Sequence, residues 1–331
     1  MNERKKWIKV SVYEIQTPKL DIQNNEYIEK RFDSDHFVGF LNKIMTSPLE
    51  NRIYDENNKF LTLEGFAVSE DAEFYEGVFT SARYGEVTQL VHRRTFDKRP
   101  SDKTIDEGDE NTVYFVIDIT NGRLYLQSDS KRIVTKGTID KYLRNFMDLY
   151  IAEIEEFNRT NNLTITPKNL FNIKTIYAQE FFEEINKLLR IKKATMKINY
   201  NQDTNSEVIN AIRREADDLD GADEITYTLV NKERGGGMKR VEKFLKNLEE
   251  IEKYENIILE GIEESGRMKA IKLEDHPKNF SVKVNVNENG IINFQNLIDG
   301  IIQEAKNQGK EDMLWLRGIQ IEGPLTMIYI K

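Results

Sequence analysis

The most informative absence in this sequence is cysteine, which does not occur among its 331 residues. Disulfide bonds, thiolate nucleophiles, cysteine-ligated zinc and iron–sulfur clusters are therefore excluded. No segment approaches the roughly 18 consecutive apolar residues of a membrane-spanning helix. The charged start at residues 1–10 also lacks the apolar stretch of a signal peptide. We therefore expect a cytoplasmic protein.

Motifs for catalysis and cofactor binding are also missing. The three histidines, His36, His92 and His276, have no partner at metal-ligand spacing, which favours structural or surface roles. Neither a Gly-x-Ser-x-Gly elbow nor a Walker loop occurs. The glycines at 235–237 lack the spaced pattern of a phosphate loop and indicate a flexible connector. We predict no cofactor, no metal and no catalytic residue, which favours a non-enzymatic role but leaves open whether the protein has an enzymatic activity.

Two acidic features keep a metal-dependent nuclease or toxin enzyme open as an alternative. Asp118 lies in an apolar strand, where a nuclease could place a metal-binding carboxylate, but no Glu-x-Lys follows on the next strand. The acidic run at 215–224 does not have the alternating ligands of a calcium loop and is typical of a solvated turn.

Composition places the chain in the globular range, with 39% hydrophobic and 32% charged residues. Its length suggests about two domains. The net charge of −9 argues against a protein that coats nucleic acid by bulk charge. The local distribution of cations therefore matters more than their sum.

The first 136 residues have mostly β-type alternation. The strongest signal is a hairpin at 112–127, because an Asn-Gly pair at 121–122 suits a type I′ turn. The other predicted elements of this half are a strand at 7–13, a helix at 37–45, a hairpin at 51–65 turning at 57–58, a strand pair at 74–90 turning at 84–85, and a mobile loop at 97–111.

A helical period at 138–157 predicts one long amphipathic helix, after which helices and strands alternate. We expect an α+β fold, with a β-rich N-terminal domain (1–136), a connecting helix (137–160) and a mixed α/β C-terminal domain (161–331). The predicted helices of the last part are 178–191, 206–217, 238–254 and 294–307. The predicted strands are 194–200, 224–230, 257–262, 281–286, 313–321 and 325–330, with a hairpin turn at 265–266.

Four basic segments stand out from the acidic whole. Lys and Arg side chains that reach phosphates supply most of the sequence-independent affinity for DNA. The hairpin at 93–99 and the glycine-flanked loop at 234–240 are the best candidates, since both are expected to be exposed. The alternative is that each segment is a solvated face neutralised by neighbouring carboxylates. The predicted nucleic-acid-binding residues are Arg83, Arg93, Arg94, Lys98, Arg99, Lys131, Arg132, Lys192, Lys193, Arg234, Lys239 and Arg240.

The order of elements resembles that of the RexA-type phage-exclusion proteins. The likeness begins with a short helix at 40–45 and continues with hairpins at 74–90. It extends to a strand at 114–117, to a strand that runs into a helix over 122–146, and to charged strands such as 194–200. The resemblance implies a cytoplasmic, dimeric DNA-binding sensor with little sequence preference, which acts in abortive infection with a membrane protein as effector partner. It assigns no binding residue.

A third hypothesis is a module that recognises a phage or host protein. It rests on the acidic balance of the chain and on the apolar stripe at 139–157, although such a stripe is more often part of a core.

Overall fold

A computed structural model describes residues 4–21, 26–70, 72–163, 171–176, 178–199, 224–233, 236–238, 254–288 and 290–316. Its helices are α1 (Ser34–Thr46), α2 (Lys136–Arg144), α3 (Met147–Asn161), α4 (Gln179–Asn186) and α5 (Phe294–Leu316). Its strands are β1 (Arg4–Asp21), β2 (Glu26–Arg31), β3 (Tyr54–Glu56), β4 (Lys59–Val68), β5 (Phe74–Arg83), β6 (Gln89–Val91), β7 (Lys98–Pro100), β8 (Asn111–Asp118), β9 (Arg123–Gln127), β10 (Asn172–Thr175), β11 (Leu188–Asn199), β12 (Glu224–Val230), β13 (Tyr254–Glu263), β14 (Met268–Lys272) and β15 (Asn279–Val286). The predicted α+β class is confirmed, with most strands in the N-terminal half.

A large antiparallel sheet organises the molecule. Its strand order is β10-β1-β9-β8-β5-β4-β3, and β15 and β2 also pair with β1. The length of β1, 18 residues, lets it pair with β15 along its first half and with β10 and β2 further on. Segments that are far apart in sequence therefore share one sheet.

Alternation along the strands separates the two faces of this sheet. In β8, Val113, Phe115 and Ile117 face a core formed with α1, α2 and α3. Val116 points the other way, into a second core where Ile298 and other apolar residues of α5 pack. The sheet is thus a middle layer between two helical layers.

A smaller antiparallel sheet has the order β12-β11-β13-β14. Its apolar face packs on α4, where Phe181, Phe182 and Ile185 are buried against strand residues such as Met196 and Leu259. This sheet follows β10 in the chain and precedes β15.

Three predicted hairpins are confirmed, among them the one between β13 and β14 that turns at 265–266. Asn57 and Asn58 both have positive φ, 55° and 58°, as a type I′ turn between β3 and β4 requires. The hairpin of β8 and β9 also forms, but its connection is longer than a two-residue turn. Only Gly122 has positive φ there, at 72°, and its amide donates to the carbonyl of Asp118.

The predicted single helix over 138–157 is wrong, because α2 ends at Arg144 and α3 begins at Met147. The backbone of Phe146 is not helical, with φ −110° and ψ 25°. Tyr142, Phe146 and Tyr150 lie in the same core on either side of this break.

The predicted strand pair over 74–90 is also wrong. β5 pairs with β4 and β8, whereas β6 pairs with β7. The loop predicted over 97–111 accordingly contains a strand, Lys98–Pro100. The helix predicted over 178–191 ends at Asn186, because from Leu188 onward β11 pairs with β13.

Several predictions fall on residues outside the described part. They are the helix at 206–217, most of the helix at 238–254, the strand at 325–330 and residues 317–321 of the strand at 313–321. Residues 313–316 continue α5, so a strand starting there is wrong.

Strand pairing crosses the predicted domain boundaries at 136 and 161, since β10 and β15 both pair with β1. Whether those segments fold independently stays a prediction. Among the described residues, no helix combines the length and apolar character needed to cross a bilayer.

Candidate nucleic-acid interface

A two-stranded arm leaves the large sheet between β5 and β8. We define the arm as residues 86–103, which include β6, β7 and the turn that joins them. Every residue from 86 to 100 is exposed, so the hairpin stands clear of the body of the protein. Its strands have only three residues each, and backbone pairing rather than a core holds them together.

A hydrogen-bonded turn shapes the tip of the arm. The amide of His92 donates to the carbonyl of Asp97, and the amide of Phe96 donates to the carbonyl of His92, each at 2.9 Å. The hydroxyl of Thr95 donates to the carboxylate of Asp97. These bonds give the tip a defined shape without the support of a core.

Phe96 is unusual at this tip. Its φ is +59°, a left-handed conformation that costs a bulky side chain roughly 1–2 kcal/mol. Its side chain is 76% exposed, so no burial offsets that cost. An aromatic ring held in solvent by a strained backbone is a feature that folding does not require.

The root of the arm is tied to the sheet by specific contacts. The hydroxyl of Tyr84 donates to the carboxylate of Asp55 at 2.6 Å, and this bond raises the pKa of Tyr84. Gly85, at φ +92°, donates its amide to the carbonyl of Ile105. These contacts hold the direction in which the arm leaves the sheet.

Two lysines, Lys103 and Lys131, contact the segment that leads from the arm back to β8. Lys103 pairs with Asp109 and thereby lowers the pKa of that carboxyl, with a smaller effect from Lys131. The ammonium of Lys131 donates to the backbone carbonyls of Asp109 and Glu110, at 2.9 and 3.2 Å. Lys131, one of the predicted contact residues, is therefore brought to the root of the arm.

The cations of the arm differ in whether they form ion pairs. Arg93, Arg94 and Lys98 make no ion pair within the described part of the chain. Arg99 pairs with Asp102 at 3.2 Å. The tip thus presents three cations without such a pair beside Phe96, whereas Arg99 and Lys103 nearer the root are each paired with a carboxylate.

A cleft of about 610 Å³ lies beneath the arm, bounded by Phe60 and by arm and root residues. Its carboxylates, Asp102, Asp106 and Glu107, make this side unfavourable for a phosphate backbone. The tip and the opposite side are therefore the candidate contact surface.

Arg83 and Arg132 occupy further exposed positions. Arg83 ends β5 and stands opposite Lys59 of β4, which is itself paired in register with Glu56 of β3. Arg132 has a φ of +54° in the turn before α2. Neither has an ion pair among the described residues.

The predicted cations of β11 form a separate group on the small sheet. Lys192 donates to the backbone carbonyls of Glu233 at 2.6 Å and of Gly236. Lys193 pairs with Glu260 at 2.6 Å. The bonds of Lys192 join the third basic segment to the start of the fourth, and the bonds of both lysines occupy their ammonium groups. Arg234, Lys239 and Arg240 lie outside the described residues.

One group of cations was missed by sequence reasoning. Lys5, Trp7 and Lys9 alternate along the first half of β1, and Trp7 lies opposite Lys283 of β15. The period-two spacing was visible in the sequence. The contribution of Lys283 was not, because it depends on the pairing of β1 with β15.

Asp118 and His36, which were weighed as candidates for catalysis or metal binding, make contacts that stabilise the fold. The carboxylate of Asp118 accepts from the amide of Thr120 at 2.8 Å and from the side chain of Asn121 at 2.9 Å, so it organises a turn. His36 is buried and packs its ring on Phe157, with centroids 4.2 Å apart. Within the described ranges, no group of three His, Asp or Glu side chains is arranged to hold a metal ion.

Comparison with known proteins adds no assignment to this geometry, since no protein-family model matches the chain and no curated protein matches it.

Proposed function

We propose that this protein binds double-stranded DNA without sequence preference and that the arm is its main contact element. The observation that carries the proposal is the tip, where Arg93, Arg94 and Lys98 form no ion pair with any residue that the structure describes and Phe96 is held in solvent. Two-stranded ribbons enter the grooves of DNA, the minor groove among them, in known protein–DNA complexes.

Each part of the tip has a distinct role in this proposal. The guanidinium groups and the ammonium contact phosphates and supply affinity that does not depend on sequence. Phe96 acts as an apolar wedge against a base step, as apolar side chains do in proteins that bend DNA. Arg83 and Arg132 add positive charge behind the tip. The acidic cleft under the arm keeps the backbone on the outer side.

The test is a titration of fluorescent duplex DNA over a range of salt concentrations. We expect the affinity of the unmodified protein to fall steeply with salt. In the variant Arg93→Ala/Arg94→Ala, the slope of log affinity against log salt should decrease by about 2, because two phosphate contacts are lost. The loss should be the same for duplexes of unrelated sequence.

The matched control is Arg159→Ala/Arg267→Ala, which removes the same charge from exposed positions on α3 and on the β13–β14 turn. This variant should bind like the unmodified protein. Equal slopes for the arm variant and the control would contradict the proposal, as would the absence of DNA binding at low salt.

A role in phage exclusion, the cytoplasmic location, a homodimer and a membrane effector partner remain part of the proposal through the resemblance to RexA-type proteins. The same two variants test the first of these by plating efficiency. If exclusion depends on DNA binding, phage growth should recover in cells with the arm variant and stay restricted in cells with the control.

A further inference from the structure

The first half of β1 and its partner β15 form a two-stranded ribbon with two unlike faces. We define the rear face by Ile8 and Val10 of β1 and by Val282 and Val284 of β15, which are buried against α5. The front face, as the register shows, consists of Lys5, Trp7, Lys9 and Ser11 on β1 and of Asn279, Ser281, Lys283 and Asn285 on β15.

The front face is positively charged and contains no carboxylate at these positions. Lys5, Lys9 and Lys283 are exposed, and none has an ion pair with any described residue. The unneutralised charge is notable in a chain whose net charge is −9. It is complementary to a polyanion.

Trp7 stands at the centre of this face with 65% of its side chain exposed. The ammonium of Lys283 lies 5.6 Å from the centre of its ring system, a cation–π distance that favours a defined ring orientation. Lys5 and Lys9 flank it at two residues on either side, about 13 Å apart along the strand. An indole plane between lysines is thus presented to solvent on a rigid ribbon backed by α5.

We propose that the front face binds a single-stranded nucleic acid, with one base stacked on Trp7 and the neighbouring phosphates on Lys5, Lys9 and Lys283. Stacking on an exposed aromatic side chain together with lysine–phosphate contacts is the general mode by which single strands bind without sequence preference. A duplex keeps its bases inside the stack and so offers only its backbone to this face. The inference shares its ligand class with the proposed function but uses a surface different from the arm.

Trp7 reports directly on this binding. The sequence has two tryptophans, so the variant Trp315→Phe leaves Trp7 as the single indole fluorophore of the full chain. We expect a short oligothymidylate to quench its fluorescence at low salt. An abasic oligomer of the same length, which has the phosphates but no bases, should bind more weakly and leave the fluorescence unchanged.

Two substitutions separate stacking from charge. Trp7→Ala should lower the affinity for oligothymidylate by about 10-fold, as expected for loss of a stacked base, while Trp7→Phe should restore much of it. Lys9→Glu should weaken binding. Lys6→Glu should not, because the side chain of Lys6, which lies on the same strand, points to the opposite face. A merely structural role of Trp7 would not predict recovery with phenylalanine together with dependence on the bases.

The outcomes are decisive in both directions. Quenching that requires bases and is lost with Lys9→Glu supports the inference. Absence of quenching overturns it, and so does equal competition by polyglutamate of the same charge, which would indicate an acidic protein partner. Because the arm variant should still show the quenching of Trp7, failure of duplex binding and failure of this surface are distinguishable.

Discussion

At the scale of single residues, the most informative position is Phe96. Its positive φ and exposed ring mean that the folded protein bears a conformational cost at the tip of the arm without any burial in return. This combination of strain and exposure is the reason for proposing that Phe96 contacts the DNA.

Substitution of Phe96 by glycine separates stability from binding. Glycine adopts positive φ freely, so Phe96→Gly should raise the free energy of unfolding by up to about 1 kcal/mol, because relief of strain exceeds the entropy that glycine adds to the unfolded chain. The same variant should bind duplex DNA more weakly. Chemical denaturation and the DNA titration measure the two effects. Phe96→Ala is the control, since it removes the ring but keeps the strain. Loss of stability in the glycine variant would show that the ring packs in the folded state.

At the scale of elements, charge pairing joins α4 to the small sheet. Glu184 of α4 pairs with Lys187 and with Lys269 of β14, and these two ammonium groups lower its pKa from 4.5 to about 2. A carboxylate with a depressed pKa stabilises the folded state above the pKa of the unfolded chain. The contribution is therefore complete above about pH 4.5 and is lost as the pH falls toward 2.

This contribution can be measured with Glu184→Gln. At pH 7 the variant should lose about 1 kcal/mol of unfolding free energy, a modest value because the pair is partly exposed. The difference from the unmodified protein should shrink as the pH falls below 4.5 and vanish near pH 2. Glu183→Gln is the matched control, since the carboxylate of Glu183 has no ion pair among the described residues. A difference independent of pH would mean that packing, not charge, links α4 to β14.

At the scale of the whole molecule, the pairing of β1 with β15 makes the stability of the N-terminal half depend on the C-terminal segment that contains β15 and α5. The core between the large sheet and α5 contains Val10 and Val12 of β1 together with Val284 of β15 and Leu297 of α5. Removing such a partner exposes side chains whose burial contributes about 1.5–3 kcal/mol each. The total stability of a domain is only about 5–15 kcal/mol.

A fragment of residues 1–161 tests this dependence and the predicted domain boundary together. It lacks β10, β15 and α5, so we expect no cooperative thermal unfolding by circular dichroism, in contrast to the full chain. It should also bind a hydrophobic dye, because the apolar face of the large sheet that packs on α5 in the full chain is uncovered. A sharp unfolding transition of the fragment would instead support an independent N-terminal domain.

The sequence by itself determined the features that depend on neighbouring residues. The turn at Asn57–Asn58 and a helix covering residues 37–45 follow from local backbone preferences, although α1 begins three residues earlier than predicted, at Ser34. The basic and exposed character of residues 93–99 was equally visible, because charge and lack of apolar periodicity are local properties. This part of the candidate site was therefore predictable.

Only the tertiary structure decided the long-range partners. Strand pairing placed β5 between β4 and β8, set β6 against β7 and brought β15 to β1. It also decided which cations are neutralised, since Lys193 meets Glu260 only across a strand pair. The physical reason is that hydrogen bonding between strands and burial of side chains join residues far apart in sequence, and a local pattern does not contain the identity of those partners.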